Sequence, residues 1–148
     1  ECVEIASNFI PEGEVVTYTI DKYNKQVISN SIGGDAIGMP LVVLVDGGSA
    51  SASEVVTGAL RDHGAATTIG TTTFGKGIVQ QLKVLPNDMG GLKVTTSKYY
   101  TPNGENIHGT GIEPDIVVEI PQEVLEMDYD RSIDPQFQKA LEVVREKN

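Results

Sequence analysis

Pro40-Leu-Val-Val-Leu-Val-Asp-Gly-Gly-Ser-Ala-Ser-Ala-Ser-Glu54, continued by a helical pattern and then by Thr71-Thr-Thr-Phe-Gly-Lys76-Gly-Ile-Val-Gln80, is the stretch that decides the fold. Leu41 to Val45 is an unbroken apolar run of β-favouring residues, as expected of a strand buried on both faces, and Asp46-Gly47-Gly48 allows a sharp reversal at its end. From Glu54 to Asp62 apolar residues fall four apart, Val55 with Ala59 and Val56 with Leu60, so this segment is predicted to be a helix stopped by His63-Gly64. Thr67-Thr68-Ile69 is the next predicted strand. Strand, helix and strand in this order make a crossover unit with two parallel neighbours. Sheets of this kind place their sites beyond the carboxyl ends of strands and at helix N-termini, where Gly48 to Ser53 lie.

The bulk properties narrow the possibilities. At 148 residues and 39% hydrophobic content the chain amounts to one domain with a sizeable core. Eleven basic residues stand against twenty-one acidic ones, a net charge of -10 spread along the chain, which argues against nucleic acid or an anionic membrane surface as partner. Cys2 is alone, so no internal disulfide forms, and with only His63 and His108 there is no zinc-ligand spacing and no metal site is expected. Neither a signal peptide nor a transmembrane run is present, and Glu1 opens in mid-pattern, as in a piece of a longer protein.

Around the central stretch, Cys2, Val3, Ala6, Phe9 and Ile10 mark an amphipathic helix ended by Pro11-Glu12-Gly13. Val16, Tyr18 and Ile20 alternate with Thr17 and Thr19, and a polar turn at Asp21 to Lys25 leads into Gln26 to Ile28, a predicted hairpin. Ser29 to Met39 is a glycine-containing loop. Ile78 to Leu85 and Leu92 to Tyr100 are predicted as an antiparallel pair joined by a turn at Pro86 to Gly91. Turn-rich segments follow at 101–104 and 108–111, then a short apolar run from Ile116 to Ile120. Asp134-Pro135 is an N-cap with proline at the first helical position, opening a final helix with Phe137, Leu141 and Val144 on one face.

Three serines at a strand-to-helix turn carry two meanings. Ser51-Ala-Ser-Glu54 fits a capping box, with Glu54 three residues after the cap. Alternatively one serine is a nucleophile, placed where free helix N–H groups stabilise a developing oxyanion. A serine needs a base, and neither His63, in a helix-ending Asp-His-Gly, nor His108, in a turn, has the context for one, so both are expected at the surface. Lys76, between two glycines and ahead of apolar Ile78 and Val79, is the candidate base, against the plainer reading of a solvated loop lysine. A lysine working as a base near neutrality must be brought down from about 10.4, at a cost on the order of 4 kcal/mol that burial without an anionic partner supplies. Gln80 shares a face with Lys76 in an extended run and is placed to hold the amine. Gly70 to Lys76 also matches the first seven positions of a phosphate-binding P-loop, but Gly77 stands where Ser or Thr would ligate magnesium and β-favouring Ile78 follows where a helix should begin.

Four blocks, Gly48-Ser-Ala-Ser-Ala-Ser-Glu54, Gly70 to Gln80, Lys98-Tyr-Tyr-Thr-Pro-Asn-Gly104 and Gly111-Ile-Glu-Pro-Asp-Ile116, resemble in order the carboxy-terminal processing, or tail-specific, Ser-Lys proteases. The resemblance covers most of the chain. It implies a crotonase-like α/β sheet-and-helix protease core, here incomplete, with a mixed parallel and antiparallel sheet. It further implies Ser51 as nucleophile, Lys76 as base 25 residues on, Gln80 as its companion and the backbone N–H of Ala52 as an oxyanion donor, without metal or cofactor. The implied activity is endopeptidase cleavage of polypeptide substrates near their C-termini, outside the cytoplasm in a bacterial envelope or periplasm-like compartment.

Members normally carry an Asn-Pro-Gly-Gly segment that supplies a second oxyanion donor, a preceding strand and a PDZ domain. None of these is in the 148 residues, so the chain is expected to be one partial protease domain of a PDZ-bearing protein. Losing one oxyanion donor lowers rates by about a hundred- to a thousandfold, so this piece alone is expected to be weakly active or inactive. The alternatives are a non-catalytic protein-binding scaffold of the same fold and, further off, a P-loop-like nucleotide binder. Exposed sheet edges would let copies of the piece pair as a homo-oligomer.

Overall fold

The computed structural model describes residues 1–86, 89–128 and 130–147. The central crossover is present as predicted: β3 (Val42–Val45), α2 (Ala52–Asp62) and β4 (Thr67–Gly70), with β3 and β4 paired in parallel from Val42 beside Thr67 to Val45 beside Gly70. β7 (Ile116–Val117) adds to β4, also in parallel, giving the order β3-β4-β7. The remaining strands, β1 (Val15–Asp21), β2 (Gln26–Asn30), β5 (Ile78–Val84) and β6 (Gly91–Tyr100), form a wholly antiparallel sheet of order β2-β1-β6-β5. The parallel and antiparallel pairings expected from the sequence are therefore divided between two sheets. Of the turn expected at Pro86 to Gly91, Asn87 and Asp88 lie outside the described residues.

The main core lies where α1 (Cys2–Ser7) and α2 meet the sheets: Ala6, Ile10, Val16, Ala59, Leu60 and Ala66 are buried, with Leu41, Val43 and Val56 packed against them. Full burial of a side chain such as Leu60 contributes about 2 kcal/mol. β3 departs from its expected double burial. Val43 points into this core, so Leu44, its neighbour along the strand, points to the opposite side and is 40% exposed. Two helices complete the chain, a short α3 (Gln122–Leu125) that has no sequence signal strong enough to predict it and α4 (Pro135–Glu146). Asp134 caps α4 as expected, its Oδ1 accepting from the N–H groups of Gln136 at 2.9 Å and Phe137 at 3.1 Å. Among the described residues no helix is long and apolar enough to cross a membrane.

Two links orient α2, which carries the site at its N-terminal end. At its C-terminal end His63 Nε2 lies 2.7 Å from the Val15 carbonyl oxygen, so this histidine is a half-buried tie to β1 and not the surface residue expected; His108 is exposed. On its flank Gly58 lets Thr101 approach so closely that an added Cβ would lie 2.9 Å from Thr101 Cγ2.

Candidate active site

Local chemistry sorts the three serines. Asp46 Oδ1 accepts from Gly48 N–H, Ser49 N–H and the Ser49 hydroxyl at 2.9 to 3.1 Å, an Asx turn that reverses the chain after β3 and ties Ser49 up. Ser53 is exposed on the first turn of α2. Ser51 lies between them at the N-cap with φ 57° and ψ -110°, a conformation that a residue with a Cβ adopts only under strain of about 1–3 kcal/mol. Such a strand-to-helix elbow lifts a hydroxyl out of the turn and leaves the N–H of Ala52, the first helical residue, without an intrahelical acceptor. Ser51→Gly should therefore raise stability by about 1 kcal/mol in denaturant unfolding. Ser51→Ala, which keeps the strain, should leave stability within about 0.5 kcal/mol.

Glu54 holds the elbow to the lysine loop. Its side chain is fully buried, and its carboxylate accepts a long hydrogen bond from the Tyr99 hydroxyl and four short ones: from Ser51 N–H at 2.8 Å, Thr73 Oγ1 at 2.6 Å, Gly75 N–H at 2.7 Å and Lys76 N–H at 2.9 Å. The Ser51 bond is the Glu54 half of the capping box expected from sequence; the other three short ones come from a segment 19 to 22 residues further on. Burial pushes the Glu54 carboxyl up, but the hydrogen bonds from Thr73, Lys76, Gly75 and Ser51 together outweigh it and leave the carboxyl below the ordinary glutamate range.

Two further segments close the site. Tyr99 on β6 places its hydroxyl 3.2 Å from the Ser51 carbonyl oxygen and 3.5 Å from Glu54 Oε2. Burial first, and then the charge of Glu54, push its phenol well up, so it stays a donor. The loop 107–112 packs on the lysine segment: Ile112 N–H donates to Thr73 Oγ1 at 2.7 Å, and Gly109 N–H donates to the Gly75 carbonyl at 2.9 Å. Both glycines beside Lys76 are required by this approach, since a Cβ on Gly75 would lie 2.8 Å from Gly111 N and one on Gly77 2.7 Å from His108 N. The four sequence blocks thus meet at one place.

Ser51, Ala52, Lys76 and Gln80 all line a cleft of about 410 Å³, whose walls also include Cys2, Thr17, Thr19, Val55, Lys93 and Tyr99. No hydrogen bond joins Ser51 Oγ to Lys76 Nζ or Gln80 to Lys76; the Gln80 amide instead lies 3.4 Å from Thr95 Oγ1. A register shift between Val79 and Gln80 in the β5–β6 ladder accompanies that placement. A larger groove, about 740 Å³, runs along α4, but it is lined by no serine, cysteine or histidine, and its Lys139 is paired with Glu142 at 2.6 Å. The P-loop alternative is not met: Gly77 leads into β5 and not into the helix that must follow a phosphate-binding loop. Among the described residues no cluster of His, Cys, Asp and Glu could hold a metal ion.

Fold and site together define a mixed α/β domain with a strained serine elbow and a lysine lining one cleft. Residues 1–118 match the model of peptidase family S41, and the chain belongs to that family. It is 47% identical over 122 residues to a carboxy-terminal-processing protease of Bartonella bacilliformis, covering 82% of this chain and 28% of that protein. It is 42% identical over 142 residues to a carboxyl-terminal-processing protease of a Synechocystis species, covering 96% and 33%. Among solved structures, the photosystem II D1 C-terminal processing protease superposes with a TM-score of 0.74 at 35% identity, over 86% of this chain and 32% of that one. The chain thus spans about a third of the length of the relatives it matches. Glu54 as the link between two loops, and Tyr99 beside it, are the site residues that sequence reasoning missed; the Glu54 of the capping box was the available signal.

Proposed function

We propose that the chain is the catalytic part of a serine endopeptidase that cleaves polypeptides near their C-termini by a Ser-Lys mechanism. The observation that supports it is the convergence of Ser51, on its strained elbow, and Lys76 on one cleft, both fastened through backbone N–H groups to the same buried carboxylate. In this proposal Lys76 takes the Ser51 proton as Oγ attacks the scissile carbonyl, and returns it to the leaving amine. The N–H of Ala52, with the positive end of α2 behind it, receives the developing oxyanion. Gln80, already on the cleft wall, positions the Lys76 amine once substrate is seated. The natural full-length protein carries a PDZ domain in this proposal and works in an extracytoplasmic, envelope-type compartment. The test is a fluorophosphonate probe applied to the full-length protein, followed by peptide mapping. Modification at Ser51, and its loss in Ser51→Ala, is the expected result; modification of another serine, with Ser51 untouched, overturns the mechanism.

A further inference from the structure

β5 is an edge strand. Among the described residues it pairs only with β6, in the order β2-β1-β6-β5, and its other side carries no strand. Which of its backbone groups face that open side follows from two hydrogen bonds: Tyr99 N–H donates to the Gly77 carbonyl at 3.1 Å, and Leu85 N–H donates to the Gly90 carbonyl at 2.9 Å. In an antiparallel ladder hydrogen-bonded residues alternate with ones that turn their N–H and C=O away from the partner. Gly77, Val79, Gln81, Lys83 and Leu85 therefore spend theirs on β6, and those of Ile78, Gln80 and Leu82 are directed to the open edge. Ile78 and Gln80 also line the Ser51 cleft. The row of free donors and acceptors thus begins two residues after Lys76 and is continuous with the proposed site.

The surroundings suit an added chain. Leu82 is 72% exposed and Val84 75% exposed, on the same face of β5 as Gln80. Four lysines and a single acid, Asp88, lie between Gly75 and Pro102, in a chain that is otherwise strongly acidic. Lys83, Lys93 and Lys98 form no ion pair among the described residues, and Lys93 lines the cleft. An extended edge presenting unpaired backbone groups and apolar side chains is the kind of surface that natural sheets protect unless it is used.

We propose that the polypeptide substrate binds as an added strand along the open edge of β5, which holds its backbone in register with Ser51 and leaves the uncompensated lysines to favour acidic side chains or a C-terminal carboxylate. This rests on the proposed protease reading for the identity of the strand, not for the edge itself. The seven residues of β5 span about 23 Å, enough to hold several substrate residues through main-chain hydrogen bonds that tolerate varied side chains.

The test uses the full chain carrying Ser51→Ala and a synthetic peptide of alternating valine and glutamate, about ten residues long. Saturating peptide is expected to slow amide exchange at Gln80 and Leu82 at least about tenfold, while Gln81 and Lys83, already bonded to β6, change little. Leu82→Pro removes one outward N–H without removing a β6 bond, and is expected to weaken peptide binding about tenfold with the circular dichroism spectrum unchanged. A second peptide methylated on every other backbone nitrogen should bind in only one of its two phases. Absence of saturable binding up to millimolar peptide, protection without alternation, or unchanged affinity in Leu82→Pro with the same spectrum would each overturn the proposal. Protection of the same amides that rises with protein concentration without peptide would assign the edge to a second copy and likewise overturn it. Because Ser51 chemistry is absent from every arm, alternating protection stands even if fluorophosphonate mapping rejects the mechanism.

Discussion

Lys76→Ala in the natural full-length protein is expected to lower kcat for an unstructured polypeptide by about a hundred- to ten-thousandfold, with KM little changed and stability within about 0.5 kcal/mol of the parent. The separation of these effects follows from how the residue is held. Glu54 is bound by the backbone N–H of Lys76, at 2.9 Å, and not by its amine, so truncation at Cβ leaves the loop fastened. What disappears is the group proposed to take the Ser51 proton, worth about 3–5 kcal/mol of barrier at 1.36 kcal/mol per decade. Lys76→Arg should fail equally, because a guanidinium does not give up its proton. Steady-state proteolysis together with denaturant unfolding checks both halves. Full proteolysis by either variant would remove the lysine from the mechanism.

Glu54→Ala is expected to be the most destabilising single substitution in the site, costing roughly 3–5 kcal/mol in urea unfolding and abolishing Ser51 labelling. Five donors converge on that carboxylate, from Ser51, Thr73, Gly75, Lys76 and, at longer range, Tyr99, and alanine leaves them without this acceptor inside the protein. The carboxyl lies below its ordinary range in the folded chain, so it holds its proton more weakly there than when unfolded. Its contribution is therefore complete above the unfolded value of about 4.3 and declines as pH falls through the lower folded value. Wild-type stability should drop over that acid range, whereas Glu54→Gln, less stable at neutral pH, should lack this part of the drop. An acid profile identical in the two proteins would show that the carboxylate's charge contributes nothing.

What was legible in the sequence is what depends on neighbours along the chain. The apolar run at Leu41 to Val45, the four-residue spacing from Val55 to Leu60 and the Asp134-Pro135 cap are local signals, and β3, α2, β4 and α4 follow them. The resemblance blocks placed Ser51, Lys76 and Gln80, and the structure brings all three to one cleft. Pairings across long separations were not legible. Glu54 shows as a capping partner, but the segment that supplies three more of its donors is chosen by tertiary packing, and Tyr99 reaches Ser51 from 48 residues away. The division into two sheets has the same origin, for β1 takes β6, distant along the chain, as its second neighbour, with Tyr18 paired with Tyr100 and their rings stacked at 5.2 Å. Leu44 was misjudged because an apolar run shows strand character without showing what lies on each side of it.

Three of the five bonds to Glu54 are given by main-chain N–H groups. Architecture and reactivity are thus written in different atoms: the side chains of Ser51 and Lys76 can be exchanged without loosening what aligns them. A descendant that had discarded both the hydroxyl and the amine would inherit an intact scaffold, free to be recruited for capture alone.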